Sequence, residues 1–154
     1  MRIVLSCDPL AKMDVQFTSP PPTTTLAIIK PDAYDQRIEL MQDITAAHFQ
    51  IVQCTECTLL PDQVHALYAQ HKKEAFYTKL IKHMRSGPSV ILKLCKPGEP
   101  DADVVREWRT CMGATDCSTG LRHKYGTVPP LNALHGSDSS AFAAREMNYS
   151  TCNW

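Results

Sequence analysis

Thr24-Thr25-Leu26-Ala27-Ile28-Ile29 runs without interruption into Lys30-Pro31-Asp32. The first six residues are β-branched or apolar, which predicts a buried strand. The lysine stands at the exit of that strand and a proline fixes the backbone after it. A cation so placed can meet a phosphate as a point charge; the commoner fate of a single lysine is a solvated turn. Working outward, Phe49 through Leu59, Ser89–Leu94 and Leu131–Leu134 read as three further strands. Ile38, Met41, Ile44 and Ala47 or His48 recur at helical spacing. Leu60-Pro61-Asp62-Gln63 opens another helix, with Val64, Leu67 and Tyr68 on its inner side. Phe76, Leu80, Ile81 and Met84 define a third, stopped by Ser86-Gly87-Pro88. Val104, Val105, Trp108, Cys111 and Met112 give the strongest helical pattern, with Arg109 on a different face and Gly113-Ala114-Thr115 closing it. The segment holding Arg122, Lys124 and Val128-Pro129-Pro130 has little period. This order predicts an α+β sandwich of the split βαβ type, with helices on one face of a four-stranded sheet.

The chain has 154 residues, 44% hydrophobic and 21% charged, with zero formal net charge. One folded domain is expected. A neutral balance and a pI near 7 give no global attraction to nucleic acid or an acidic membrane. No apolar run approaches the ~20 residues that span a bilayer. Met1–Asp8 is too short and too soon interrupted for a secretory signal, and Asp8 and Asp14 oppose Arg2 and Lys12 in any mitochondrial presequence. Seven cysteines without framework spacing suit a reducing compartment. Cys54-Thr55-Glu56-Cys57 lies in a strand, where positions three apart face opposite ways, and no second pair accompanies it, so no metal site is expected. Ser19-Pro20-Pro21-Pro22 ends a stretch without period; residues 1–22 read as a flexible leader and 23–154 as the domain.

Asn132-Ala133-Leu134-His135-Gly136-Ser137-Asp138-Ser139, running on to Arg145-Glu146, places a histidine after a short apolar run. Ser-Asp-Ser is a good helix opening, since those side chains accept from free backbone N–H groups. A helix start also suits an anion. His135 is expected at a strand end or tight turn, with Gly136 removing bulk beside the imidazole. That suits a histidine attacking phosphorus, although a lone His beside Gly is more often a loop residue.

Several separated pieces now converge. Thr25–Ala33, Tyr68 ahead of the Phe76–Met84 helix, Ser86–Pro88, Trp108-Arg109 with Met112–Thr115, Leu121-Arg122, Asn132, and His135–Ser139 with Arg145-Glu146 stand in one order. Together the chain resembles a nucleoside diphosphate kinase over about residues 24 to 147, closest to the divergent branch with mitochondrial and ciliary members. The resemblance implies a ferredoxin-like fold with a four-stranded antiparallel sheet covered by helices. It implies ping-pong transfer of a γ-phosphate from a nucleoside triphosphate to a nucleoside diphosphate through a phosphohistidine. Carried over by motif, His135 is the nucleophile and Glu146 orients it. Lys30, Arg109 and Arg122 hold phosphates, and Thr115 and Tyr68 add hydroxyl donors. Asn132 contacts the sugar, Phe76 stacks on the base, Leu80 lines that pocket, and Ser137 sits beside the histidine. Mg²⁺ arrives with the nucleotide, a homo-oligomer is an expected partner, and neither nucleic acid nor membrane is. The chemistry agrees: neutral imidazole is nucleophilic, and charge spread over phosphoryl oxygens is met by cations and positioned donors.

Four departures are visible. Ala33–Arg37 replaces a glycine-containing turn, so that loop should be stiffer or differently shaped. Only Asp116–Leu121 separates Thr115 from Arg122, a shortened loop. Pro129 stands where a small apolar residue lines the base pocket, and Asn148–Trp154 lacks the usual tail. The alternative reading is therefore a nucleotide-binding or scaffold module of the same fold with little or no kinase activity. Cytoplasm is the expected compartment, with mitochondrion as the alternative on resemblance.

Overall fold

The structure, a computed structural model, describes residues 24–99, 103–139, 143, 145 and 146. The leader and the terminal residues 147–154 discussed above lie outside these. In chain order the elements are β1 (Thr24–Ile29), α1 (Arg37–Ala46), β2 (Gln50–Cys57), α2 (Pro61–Leu67), α3 (Tyr77–Met84), β3 (Ser89–Cys95), α4 (Val104–Met112), α5 (Gly120–Tyr125) and β4 (Leu134–Gly136). Short 3₁₀ turns cover Pro31–Gln36 and Ala69–His71. The strands line up as β2-β3-β1-β4, every neighbouring pair antiparallel. This is the ferredoxin-like order. Ile28 sits at its middle, opposite Ile91 on one side and His135 on the other.

Helices cover both faces of the sheet, not one as the element order suggested. Ala27, Ile29, Val90 and Leu92 pack with Leu40 and Ile44 of α1 and with Val104, Trp108 and Met112 of α4. Leu26, Ile28 and Ile91 face the opposite way, onto Val64 and Leu67 of α2 and Leu80, Ile81 and Met84 of α3. The reason is present in β1 and β3 themselves. Both are interior strands buried almost throughout, and a strand covered twice reads as a continuous apolar run instead of an alternation. The edge strand β2 is largely exposed.

Local chemistry accounts for most boundaries. Pro61 begins α2, and the Gln63 side chain accepts from the Leu60 N–H at 2.8 Å. Asp103 caps α4 by accepting from the Arg106 N–H at 3.0 Å. Gly113 ends it with φ 84°, where a Cβ would meet the Thr119 carbonyl oxygen at 2.0 Å. Only glycine lets the shortened loop fold back so closely. In α1 the inner positions are Leu40 and Ile44, while Ile38 is exposed. Residues 38 and 40 lie about 200° apart around a helix and cannot both face inward. The six-residue α5 gave no period to read, yet it buries Arg122 and Tyr125.

The fourth strand also differs from expectation. It is Leu134–Gly136, so His135 is inside it and not beyond it. Val128 and Leu131 are spent bridging each other around Pro129-Pro130, and Ala133 turns the chain with φ 68°. Among the described residues no helix is long and apolar enough to cross a membrane.

Candidate active site

Strand alternation decides what His135 meets. Its neighbours Leu134 and Gly136 face α4. A Cβ on Gly136 would stand 2.4 Å from the Met112 methyl and 2.8 Å from Trp108 Nε1. The glycine therefore makes room for the core beneath the strand, not for space beside the imidazole. His135 points to the other face. There the Tyr68 ring meets it edge-on, with centroids 5.2 Å apart and planes at 87°. His135 Nε2 lies 3.3 Å from Glu146 Oε2. The same buried carboxylate oxygen accepts from Ser137 Oγ. A carboxylate accepts only, so Nε2 carries the proton and the Nδ1 lone pair is left outward. Nδ1 has no hydrogen bond among the described residues. The Tyr68 hydroxyl is buried and has no hydrogen-bond partner among the described residues. Burial, and then the charge of Glu146, hold its pKa well up, so it stays a donor.

The second group is cationic. Lys30 is buried, and its Nζ donates to the Pro130 carbonyl at 2.5 Å and to Asn132 Oδ1 at 2.8 Å. Burial lowers its pKa to about 8; Asp32 opposes the fall and Arg122 adds to it. Asn132 Nδ2 donates in turn to the carbonyl of the exposed Thr115 at 3.1 Å. Arg122 gives Nη1 to the Gly113 carbonyl at 3.1 Å and Nη2 to the Leu134 carbonyl at 2.9 Å. Its Nε is buried without a partner among the described residues. Burial, then the Arg109 charge, lowers the Arg122 pKa. Arg109 itself is about half exposed and pairs with Asp138 at 2.5 Å.

Phe76, 45% exposed, is the outermost member. Its ring is tilted on His71 at 5.6 Å, and His71 lies 6.4 Å from Tyr68. An exposed ring held from behind is a stacking platform. Leu80 sits in the second core with Tyr68, without an open surface of its own.

Three participants escaped the sequence. Asp138, read as part of a helix opening, joins Arg109 to Gln70, whose Nε2 donates to its second oxygen at 2.7 Å. Asp32 accepts from the Ala133 N–H at 2.9 Å and meets His83 Nε2 at 2.8 Å. His71 bridges Phe76 and Tyr68. Asp138 and Asp32 act across separations of 29 to 101 residues and His71 through ring contacts, and no local spacing marks them; only the Pro before Asp32 hinted at a fixed turn.

A family model described as nucleoside diphosphate kinase matches residues 23–151. Thioredoxin domain-containing protein 6 of Homo sapiens is 39% identical over 143 residues, covering 87% of this chain and 43% of that protein. The chain thus spans less than half the length of that relative. The nucleoside diphosphate kinase of Histophilus somni (strain 2336) is 36% identical over 131 residues, 81% of this chain and 89% of its own. A crystal structure of the Aquifex aeolicus nucleoside diphosphate kinase superposes with a TM-score of 0.75 at 27% identity, covering 84% of this chain and 95% of that one.

Proposed function

The chain belongs to the nucleoside diphosphate kinase family, and on that footing we propose that it carries a γ-phosphate from a nucleoside triphosphate to a nucleoside diphosphate through His135. One observation carries the reading. Lys30, Arg122 and Arg109 are gathered near one another, two of them buried, and the pKa values of Lys30 and Arg122 are lowered. Burying mutually repelling cations is costly, and a polyphosphate bound among them offsets that cost.

In the first half-reaction Nδ1 of His135 attacks the γ-phosphorus. The P–N bond forms as the bond to the β–γ bridging oxygen breaks, and the nucleoside diphosphate leaves with that oxygen. Phosphorylation puts positive charge on the imidazole, and Glu146 on Nε2–H stabilises it. Ser137 holds the carboxylate in place. The Tyr68 hydroxyl and Arg122 Nε–H, without partners among the described residues, are donors that suit phosphoryl oxygens. In the second half-reaction a terminal phosphate oxygen of an acceptor nucleoside diphosphate takes the phosphoryl group and the P–N bond breaks. Asn132 and Lys30 would hold the sugar and phosphates, Thr115 would add a hydroxyl, and Phe76 would stack on the base.

The site's donors are mostly cations. Among the described residues no three His, Cys, Asp or Glu side chains gather to hold a metal. Mg²⁺ is therefore expected to be carried on the phosphates and its waters, where it would neutralise charge.

The test is incubation with γ-labelled ATP and Mg²⁺ beside a His135→Ala variant, followed by a GDP chase. Acid-labile, base-stable label on the parent alone, released as GTP, is the expected result. Nucleotide binding without any label would sink the transfer reading in favour of a nucleotide-binding or scaffold role.

A further inference from the structure

The segment that enters β4 is held by a carboxylate outside the groups assigned above. Ala133 is fully buried with a left-handed φ of 68°, a conformation that costs a non-glycine residue energy and persists only where its surroundings hold it. Two bonds do so. The Lys30 backbone N–H donates to the Ala133 carbonyl at 2.8 Å, and the Ala133 N–H donates to Asp32 Oδ2 at 2.9 Å. Ala133 stands between Asn132, which receives the Lys30 ammonium, and Leu134-His135, which begin the strand of the nucleophile. The other oxygen of Asp32 meets His83 Nε2 from α3 at 2.8 Å, and both side chains are nearly buried. A carboxylate accepts only, so His83 donates there.

We propose that Asp32 is a positioning residue of the nucleotide site, fixing the turn at Ala133 that presents Asn132, the acceptor of the Lys30 ammonium, and leads into β4, and that His83 holds Asp32 in place. The inference rests on the nucleotide site described under Proposed function. The charged surroundings support it. Lys30 faces Asp32 on its own turn, Arg122 on α5 and Cys117 on the loop before α5. Of these, Asp32 is the strongest counter to burial. Asp32 is faced by His83, and its charge is felt by Lys30, Cys117 and the Tyr68 phenol.

Asp32→Asn separates the hydrogen bond from the charge, because an amide oxygen still accepts from the Ala133 N–H while the charge is gone. Lys30 titration is followed by NMR of labelled lysine side chains, Ala133 by amide exchange, and affinity by calorimetry with Mg-ADP. In Asp32→Asn the Lys30 pKa should fall by about one unit, weakening Mg-ADP about fivefold at pH 8 and less than about twofold at pH 6. Ala133 exchange should stay slow in Asp32→Asn and become fast in Asp32→Ala. His83→Gln keeps a donor and should behave as the parent, whereas His83→Phe should loosen Ala133 and weaken Mg-ADP. An Ala133 amide that exchanges as slowly in Asp32→Ala as in the parent overturns the proposal, and equal behaviour of His83→Gln and His83→Phe overturns the part given to His83. A parent that takes no label from ATP but shows these shifts overturns the transfer reading alone.

Discussion

Lys30 and Arg109 are two cations of one site held in opposite ways. Lys30 is buried, bonded to a carbonyl and an amide oxygen, and pays for its position with a lowered pKa. Arg109 is half exposed and balanced by the carboxylate of Asp138. The same division runs through the whole site. His135, Glu146 and Ser137, joined by hydrogen bonds, and Tyr68, packed edge-on against His135, form an inner half that is set before any ligand arrives. Arg109, Asp138, Gln70 and Phe76 form an outer half of screened charges and an open ring. The difference teaches where each half gets its geometry. The inner half is fixed by the folding of the sheet, and the outer half by contacts that a ligand can exchange.

Measurements at the inner half should give the larger effects. Lys30 titrates near 8 in the fold against a usual 10.5. Between those values the unfolded chain binds the extra proton, so stability should rise with pH across that window, by about 3 kcal/mol at most. Denaturation midpoints measured from pH 8 to 10.5 would show the rise, and Lys30→Met should flatten it. Phosphoenzyme formation should fall over the same range, because a neutral Lys30 no longer attracts phosphate. A fall in stability across that window would place Lys30 in the outer half instead. Next in size, Glu146→Gln should slow labelling by roughly 10- to 100-fold while leaving nucleotide affinity nearly intact. An affinity loss as large as the rate loss would make Glu146 a ligand contact, not an orienting one.

The outer half should respond more mildly. Phe76→Ala should weaken nucleotide binding about tenfold, equally for purine and pyrimidine diphosphates, with little change in Tm. A large drop in Tm would contradict its exposed position. Smallest of all, Asp138→Asn should change stability by less than about 1 kcal/mol, and 0.5 M salt, on the order of the ionic strength that shortens screening to a few ångströms, should erase the difference.

Much of this was legible in advance because it is periodic or local. Val104, Trp108 and Met112 share one helical face, and Ser86-Gly87-Pro88 stops α3, whatever surrounds them. His135 and Glu146 are 11 residues apart, close enough for a strand and the following helix to bring together. Other features had no local signature. The run Leu26–Ile29 was read as buried, yet its lack of alternation also meant that the sheet is covered twice. Gly136 owes its small size to Trp108, 28 positions earlier in the chain, and His83 finds Asp32 across 51.

By itself the sequence determined the family and the buried centre strand and singled out His135 as the candidate nucleophile, since these depend on residue type and on spacing along one chain. The tertiary structure alone decided which face of β4 carries His135, which nitrogen stays free, and that Lys30 is a buried ammonium bonded to Asn132 and Pro130. Those are consequences of register and burial. A hydrogen bond or a desolvated charge exists only once distant segments have been brought within about 3 Å and water has been excluded.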